Sequence, residues 1–133
     1  MARQQDEAAI GEVIAAWTAA VRRRDLPAIL ENHAPDIVMF DVPPPFQIRG
    51  IDAYEASWAQ FFSWTEQPIP FAIAEMSITA GDDVAFVVAT LHCAEPAEDG
   101  QPKPLEFRLT VGLRKLAGRW TITHEHHSVP SEG

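Results

Sequence analysis

The sequence predicts one α+β domain with helices covering one face of a curved, mostly antiparallel sheet. Three observations support this. Apolar residues recur at spacings of three and four through the first part of the chain, as in helices. After Pro68 and Pro70 the period changes to two and does not change back. The connections between the later segments are short, which favours antiparallel neighbours. With 133 residues, the chain fits a single domain over 1–133 and is long enough to close one core.

The elements follow in order. Residues 5–22 read as an amphipathic helix with Ile10, Val13, Ile14, Trp17 and Val21 on one face. Arg22, Arg23 and Arg24 fall at its end, where cations complement the helix dipole in water. Asp25 is placed to cap a short second helix carrying Leu26, Ile29 and Leu30, which Pro35 ends. "DIVMFDV" is rich in β-formers and predicts a short strand. "PPP" at 43–45 cannot supply ladder donors and is a loop before a second short strand around Phe46 to Arg49. Gly50 opens a third helix whose apolar face is Ile51, Tyr54, Trp58, Phe61 and Phe62.

Four strands are expected at 71–80, 83–94, 104–115 and 119–128, with turns at "AGDD", "AEDGQP" and "LAG". In "LEFRLTVGLR", Leu105, Phe107, Leu109, Val111 and Leu113 take one face, and Glu106, Arg108, Thr110 and Arg114 take the other. "VAFVVATLHCA" is apolar on both faces. One is expected to meet the helices and the other a second copy of the chain in a symmetric homodimer.

Composition removes several classes of function. At 47% hydrophobic and 22% charged, the chain belongs with folded proteins rather than disordered ones. Its net charge of −9 opposes nucleic-acid binding, which needs a basic face. The start, "MARQQDEAAI", carries charges where a secretory signal needs an apolar stretch, and no apolar run is long enough to span a membrane. A lone cysteine, Cys93, in an apolar strand excludes an internal disulfide framework. A reducing cytoplasm and no membrane partner are expected. The seven glycines form neither GxGxxG nor GxxxxGK[ST], and there is no GxSxG or HExxH.

Two places carry chemistry. Asp41 ends the first strand beside Phe40 and before the apolar "VPPPF" loop. A carboxylate in apolar surroundings has its pKa raised and can act as a general base or acid. It can equally be a turn aspartate bonded to nearby backbone N–H groups. The second place is "RWTITHEHHS" at 119–128. Strand alternation puts His124 and His126 on one face with Trp120 and Ile122, and His127 on the other with Thr121, Thr123 and Glu125.

If "LAG" closes a tight hairpin, His124 lies near Val111 and His126 near Leu109. His124 and His126 are therefore expected inside and His127 outside. One bulge would reverse this parity and bring in Arg108, Thr110, Glu125 and His127. Three roles stay open for the pair: satisfied core histidines, pocket residues that bind or move a proton, or a metal pair. Positions i and i+2 of a strand stand about 6.5–7 Å apart, a usable metal spacing. A third ligand would have to come from Asp41, His33 or His92, and no motif fixes one, so no metal or cofactor is assigned. Trp17, Tyr54, Trp58 and Phe61 serve as core and, equally, as an aromatic cavity wall suited to a flat apolar ligand.

This element order, closed by "W..I.HEHHS", resembles the nuclear-transport-factor-2-like superfamily in its SnoaL-like and ketosteroid-isomerase-like branch, over roughly residues 8–128. The resemblance implies a cone-shaped α+β roll, with three N-terminal helices packed on the curved sheet and enclosing a pocket. The superfamily holds isomerases, cyclases, dehydratases and hydroxylases, and also association domains that catalyse nothing, so fold alone decides little.

Counted without gaps from "RRRD", the family's general-base aspartate falls on Asp41, and its three tyrosines fall on Trp17, His33 and Trp58. The second, protonated aspartate falls on Thr110, or on Val111 if a turn is one residue shorter; neither is an acid. In the isomerases a tyrosine and a neutral carboxylic acid form the oxyanion hole. Losing one such donor typically costs about 10²–10³ in rate, so true steroid isomerisation is not expected.

The expected function is cofactor-independent acid–base chemistry on an apolar or cyclic carbonyl compound. Asp41 would be the base and His126 or His124 the acid. Trp17 and His33 would supply orienting hydrogen bonds, and Tyr54, Trp58, Phe61, Thr110 and Trp120 would lie against the substrate. The alternatives are a non-catalytic ligand-binding or association module of the same fold, and a metal-dependent enzyme built on His124 and His126.

Overall fold

The computed structural model describes residues 2–64, 70–95 and 103–131. Helix α1 spans Ala2–Arg23 and α2 Leu26–Leu30; strands β1 (His33–Phe40) and β2 (Ile48–Arg49) precede α3 (Ile51–Ser63). Strands β3 (Ala72–Ala80), β4 (Val84–Glu95), β5 (Lys103–Leu116) and β6 (Arg119–Ser128) complete the order. The strands form a six-stranded sheet ordered β2-β1-β6-β5-β4-β3. Every pairing is antiparallel except β1 with β6, which is parallel. This is the expected α+β arrangement, with helices packed on one face of a mostly antiparallel sheet. Among the described residues, no helix is long and apolar enough to cross a membrane.

Local chemistry accounts for the boundaries. Asp25 caps α2 by accepting the Ala28 N–H at 3.2 Å. Strand β1 begins at His33, earlier than "DIVMFDV" suggests, and runs through Pro35. Pro35 lies where the β1–β6 register shifts, between His33 and Val38. A proline without an N–H is tolerated at such an irregularity. The "LAG" turn joins β5 to β6 through Ala117 and Gly118, with φ of 51° and 79°. Two successive left-handed residues form the tight hairpin turn whose twist matches its strands. The "AEDGQP" turn and Pro68 lie outside the described residues.

The core joins the buried helix faces to the inner face of the sheet. Ile10, Ile14, Trp17 and Val21 of α1 meet Ala85, Val87, Ala89 and Leu91 of β4 and Leu109, Val111 and Leu113 of β5 in one cluster. Strand β5 keeps the predicted alternation, with Arg108 and Thr110 exposed on the outer face. On that outer face Phe86 is 49% exposed and Val88 51%.

Strand β6 departs from the expectation. Its pairing with β5 is regular from Leu116↔Arg119 to Leu113↔Ile122, but the next pair is Gly112↔His124. Thr123 is therefore an extra residue, a β-bulge, and every side chain beyond it changes face. Trp120, Ile122, Glu125 and His127 are buried, while His124 is half-buried and His126 exposed. The expectation that His124 and His126 point inward, and His127 outward, is thus reversed. The two strands do not reverse together: Arg108 and Thr110 stay outside because β5 itself carries no extra residue.

Gly112 lies opposite the bulge. A Cβ built on it would lie 3.4 Å from the His124 Cβ, a close contact that the glycine leaves open. The Thr123 hydroxyl donates to the Gly112 carbonyl at 3.3 Å. Beyond the bulge, β1 pairs with β6 through Val38↔His124, Met39↔Glu125 and Phe40↔His126.

Candidate functional site

A cavity of about 450 Å³ opens between α3, the proline loop after β1 and the inner face of β4, β5 and β6. Its walls include Trp58 and Phe61 from α3, Phe71 before β3 and Phe107 from β5. Asp41 and His127 reach it from β1 and β6. The topology brings these two together: β1 lies parallel beside β6, and the bulge turns His127 inward at the level where β1 ends.

Asp41 is half-buried, and its Oδ1 accepts the Val42 backbone N–H at 2.8 Å. This is the hydrogen bond of a turn aspartate, made by a side chain that also lines the cavity. His127 is 7% exposed and is held through Nε2, 3.0 Å from Glu125 Oε1. Its Nδ1 has no hydrogen-bond partner among the described residues, which leaves that nitrogen for the cavity.

Glu125 is fully buried, and both its oxygens are occupied. Oε2 receives the Tyr54 hydroxyl at 2.6 Å and His33 Nε2 at 2.8 Å. The Tyr54 oxygen in turn accepts the Trp17 indole N–H at 3.1 Å. A carboxylate taken out of water persists only when its lone pairs are met in this way. Burial pushes the Glu125 carboxyl up, but the hydrogen bonds and charges of His127 and His33 prevail and hold it at about 2. Burial pushes the His127 imidazole down. The hydrogen bond and charge of Glu125, with the charge of Asp41, outweigh that and raise it above the usual imidazole value. Burial, followed by the charge of Glu125, pushes the Tyr54 phenol well up, so it stays a neutral donor.

The structure sorts the predicted site residues into three groups. Asp41, Trp58 and Phe61 line the cavity. Trp17, His33 and Tyr54 sit behind its wall, in the hydrogen-bonded cluster around Glu125. Trp58 Nε1 is buried and has no hydrogen-bond partner among the described residues. The remaining residues are elsewhere. Trp120 donates to Asp6 Oδ1 at 3.1 Å and ties β6 to α1. Thr110 and His126 lie on a separate concavity of the outer sheet face, because β5 parity and the β6 bulge direct them there. His124 donates from Nδ1 to the Val38 carbonyl at 2.7 Å.

The metal spacing of His124 and His126 is filled differently. Their ring centroids are 6.4 Å apart, with the Phe40 ring against both. His33 is bound to Glu125, and His92 faces Glu106 at 3.6 Å on the outer surface. Among the described residues, no group of three or more His, Cys, Asp or Glu is placed to hold a metal ion.

The fold and this aromatic-walled cavity define an α+β protein of the NTF2-like class. The family model for the SnoaL-like domain matches residues 10–132, and the chain belongs to that family. It is 33% identical to an NTF2-like protein of unknown function from Pseudomonas putida KT2440, with a TM-score of 0.88 over 97% of this chain and 89% of that one.

Two more distant structures share the fold alone. One is a ketosteroid isomerase-like protein from Erwinia carotovora atroseptica SCRI1043, 24% identical with a TM-score of 0.77 over 93% of this chain and 95% of that one. The other is a proposed calcium/calmodulin-dependent protein kinase II association domain from Xanthomonas campestris, 18% identical with a TM-score of 0.78 over 93% and 87%. A search of the curated proteins finds no match.

Proposed function

We propose that the protein is an enzyme that moves a proton next to the carbonyl group of a neutral, apolar or cyclic small molecule, using Asp41 and His127. The observation that carries this reading is the buried Glu125, whose Oε1 holds His127 by Nε2 and leaves Nδ1 to a cavity that Asp41 also lines. Asp41 takes the proton from the carbon beside the carbonyl. His127 Nδ1–H donates to the carbonyl oxygen as charge develops there, and the proton on Asp41 is then returned to the product carbon or to solvent. The role first expected of His126 or His124 passes to His127, and this chemistry requires no cofactor. The aromatic walls favour an apolar ligand. No Lys or Arg lines the cavity among the described residues, which argues against an anionic one.

The test is exchange of α-hydrogens from a panel of cyclic ketones in D2O, followed by NMR across pH. Exchange above the buffer rate is expected, with an alkaline limb where His127 loses its proton, above the ordinary imidazole range. A rate indistinguishable from buffer at every pH would rule the reading out.

A second reading, an association module, is favoured by the outer sheet face. Phe86 and Val88 stand about half-exposed there, apolar side chains that a second copy of the chain would take out of water. We infer that this face closes a homodimer, which is compatible with catalysis in the cavity. Sedimentation should give two subunits for the wild type and one for Val88→Lys; a monomeric wild type would end the idea. The buried Cys93 fits the reducing cytoplasm expected as its compartment.

A further inference from the structure

Glu125 is shared between two imidazoles. His127 takes Oε1 at 3.0 Å and His33 takes Oε2 at 2.8 Å. His33 reaches this position from the first residue of β1, and its side chain has no solvent exposure. Its other nitrogen, Nδ1, faces the Glu31 carbonyl at 2.9 Å.

Both partners of His33 are acceptors. A backbone carbonyl has no hydrogen to give, and the Glu125 carboxylate already receives the Tyr54 hydroxyl at 2.6 Å. The Tyr54 oxygen also lies 3.0 Å from His33 Nε2, but it accepts the Trp17 N–H, and its own hydrogen follows the shorter path to Glu125. A hydrogen therefore belongs in each His33 contact, and both ring nitrogens donate. The positive charge this gives the ring is met by Glu125 rather than by water.

We propose that His33 is a positioning residue for the cavity: by sharing the charge of Glu125, it sets how firmly Glu125 holds the proton of His127. This inference rests on the reading of His127 as an acid–base group. The geometry limits the contributors. Glu125 faces His127 from its own strand, Asp41 bears on it from the end of β1, and Cys93 of β4 lines the same cavity. Trp17 of α1 and Phe107 of β5 pack their rings near it and bring no charge. His33 is the cation that acts from behind, through the far oxygen of Glu125, and Tyr54 adds a neutral donor to that oxygen.

The substitution that isolates the effect is His33→Gln, which keeps a donor of similar reach and removes the charge. Glu125 is then left wholly to His127. The experiment is an NMR pH titration of the His127 ring in the full chain without ligand, for the wild type, His33→Gln and Glu125→Gln. In His33→Gln the His127 midpoint should move upward by about one pH unit, the size expected for removing a like charge across a shared carboxylate. In Glu125→Gln it should move downward, because burial is then opposed only by Asp41. An unmoved or lowered midpoint in His33→Gln overturns the proposal.

The unmodified protein offers a second reading that does not depend on the variant folding. The ¹⁵N shifts of His33 should report hydrogens on both Nδ1 and Nε2, and a single hydrogen overturns the assignment. Neither measurement needs a substrate. If ketone exchange is absent while the His127 midpoint moves as stated, the catalytic reading fails and the positioning role stands.

Discussion

Glu125→Ala is expected to lower the free energy of unfolding by about 3–5 kcal/mol, the usual effect of removing one partner from a buried charged network. Three donors lose their acceptor together: His127 Nε2, His33 Nε2 and the Tyr54 hydroxyl. None can turn to water, because Tyr54 and the His33 side chain are fully buried and His127 nearly so.

The pH dependence has a definite sign. The Glu125 carboxyl lies at about 2 in the folded chain against an ordinary 4.5, so its stabilisation is complete above 4.5 and is lost as pH falls towards 2. His127 acts in the opposite sense. Its raised value stabilises below the ordinary 6.5 and is lost as pH rises through the higher folded value. Both shifts describe largely the same contact and are counted once. Urea denaturation followed by circular dichroism should show the wild type losing stability over that acid window and Glu125→Ala losing much less. Equal midpoints for the two proteins near neutral pH would contradict the account.

Much of the fold is legible in the sequence, because periodicity records burial directly. The α1 face from Ile10 to Val21 and the β5 alternation follow from spacing alone, and the doubly apolar β4 marks the exposed outer face. Asp41 is legible too, as a carboxylate placed after a β-former run and before three prolines.

The heart of the site is not. A strict period of two carried through "RWTITHEHHS" passes over Thr123 and assigns every later side chain to the wrong face. The available signal was Gly112, the one residue without a side chain inside an otherwise alternating strand, and a glycine there often marks a bulge. Glu125 was hidden for a second reason. A glutamate beside threonines on a strand reads as solvated surface, since carboxylates are seldom buried without partners. Its partners come from α3, from β1 and from two residues along β6, and only the topology reveals that they converge. Reading Pro35 as a stop delayed the start of β1 and left His33 outside the strand that positions it.

The central claim is that Asp41 removes a proton inside the cavity, and Asp41→Asn tests it most directly. Asparagine keeps the size of the side chain and an oxygen able to accept the Val42 N–H, so the loop and cavity wall should stand unchanged. It cannot take a proton. With a cyclic ketone that the wild type exchanges in D2O, the rate should fall by about 10²–10⁴-fold, the usual contribution of a general base. The dissociation constant of the ketone should stay within about threefold, since neither wall nor volume changes. Exchange by Asp41→Asn at the wild-type rate would contradict the account and leave the cavity a binding site.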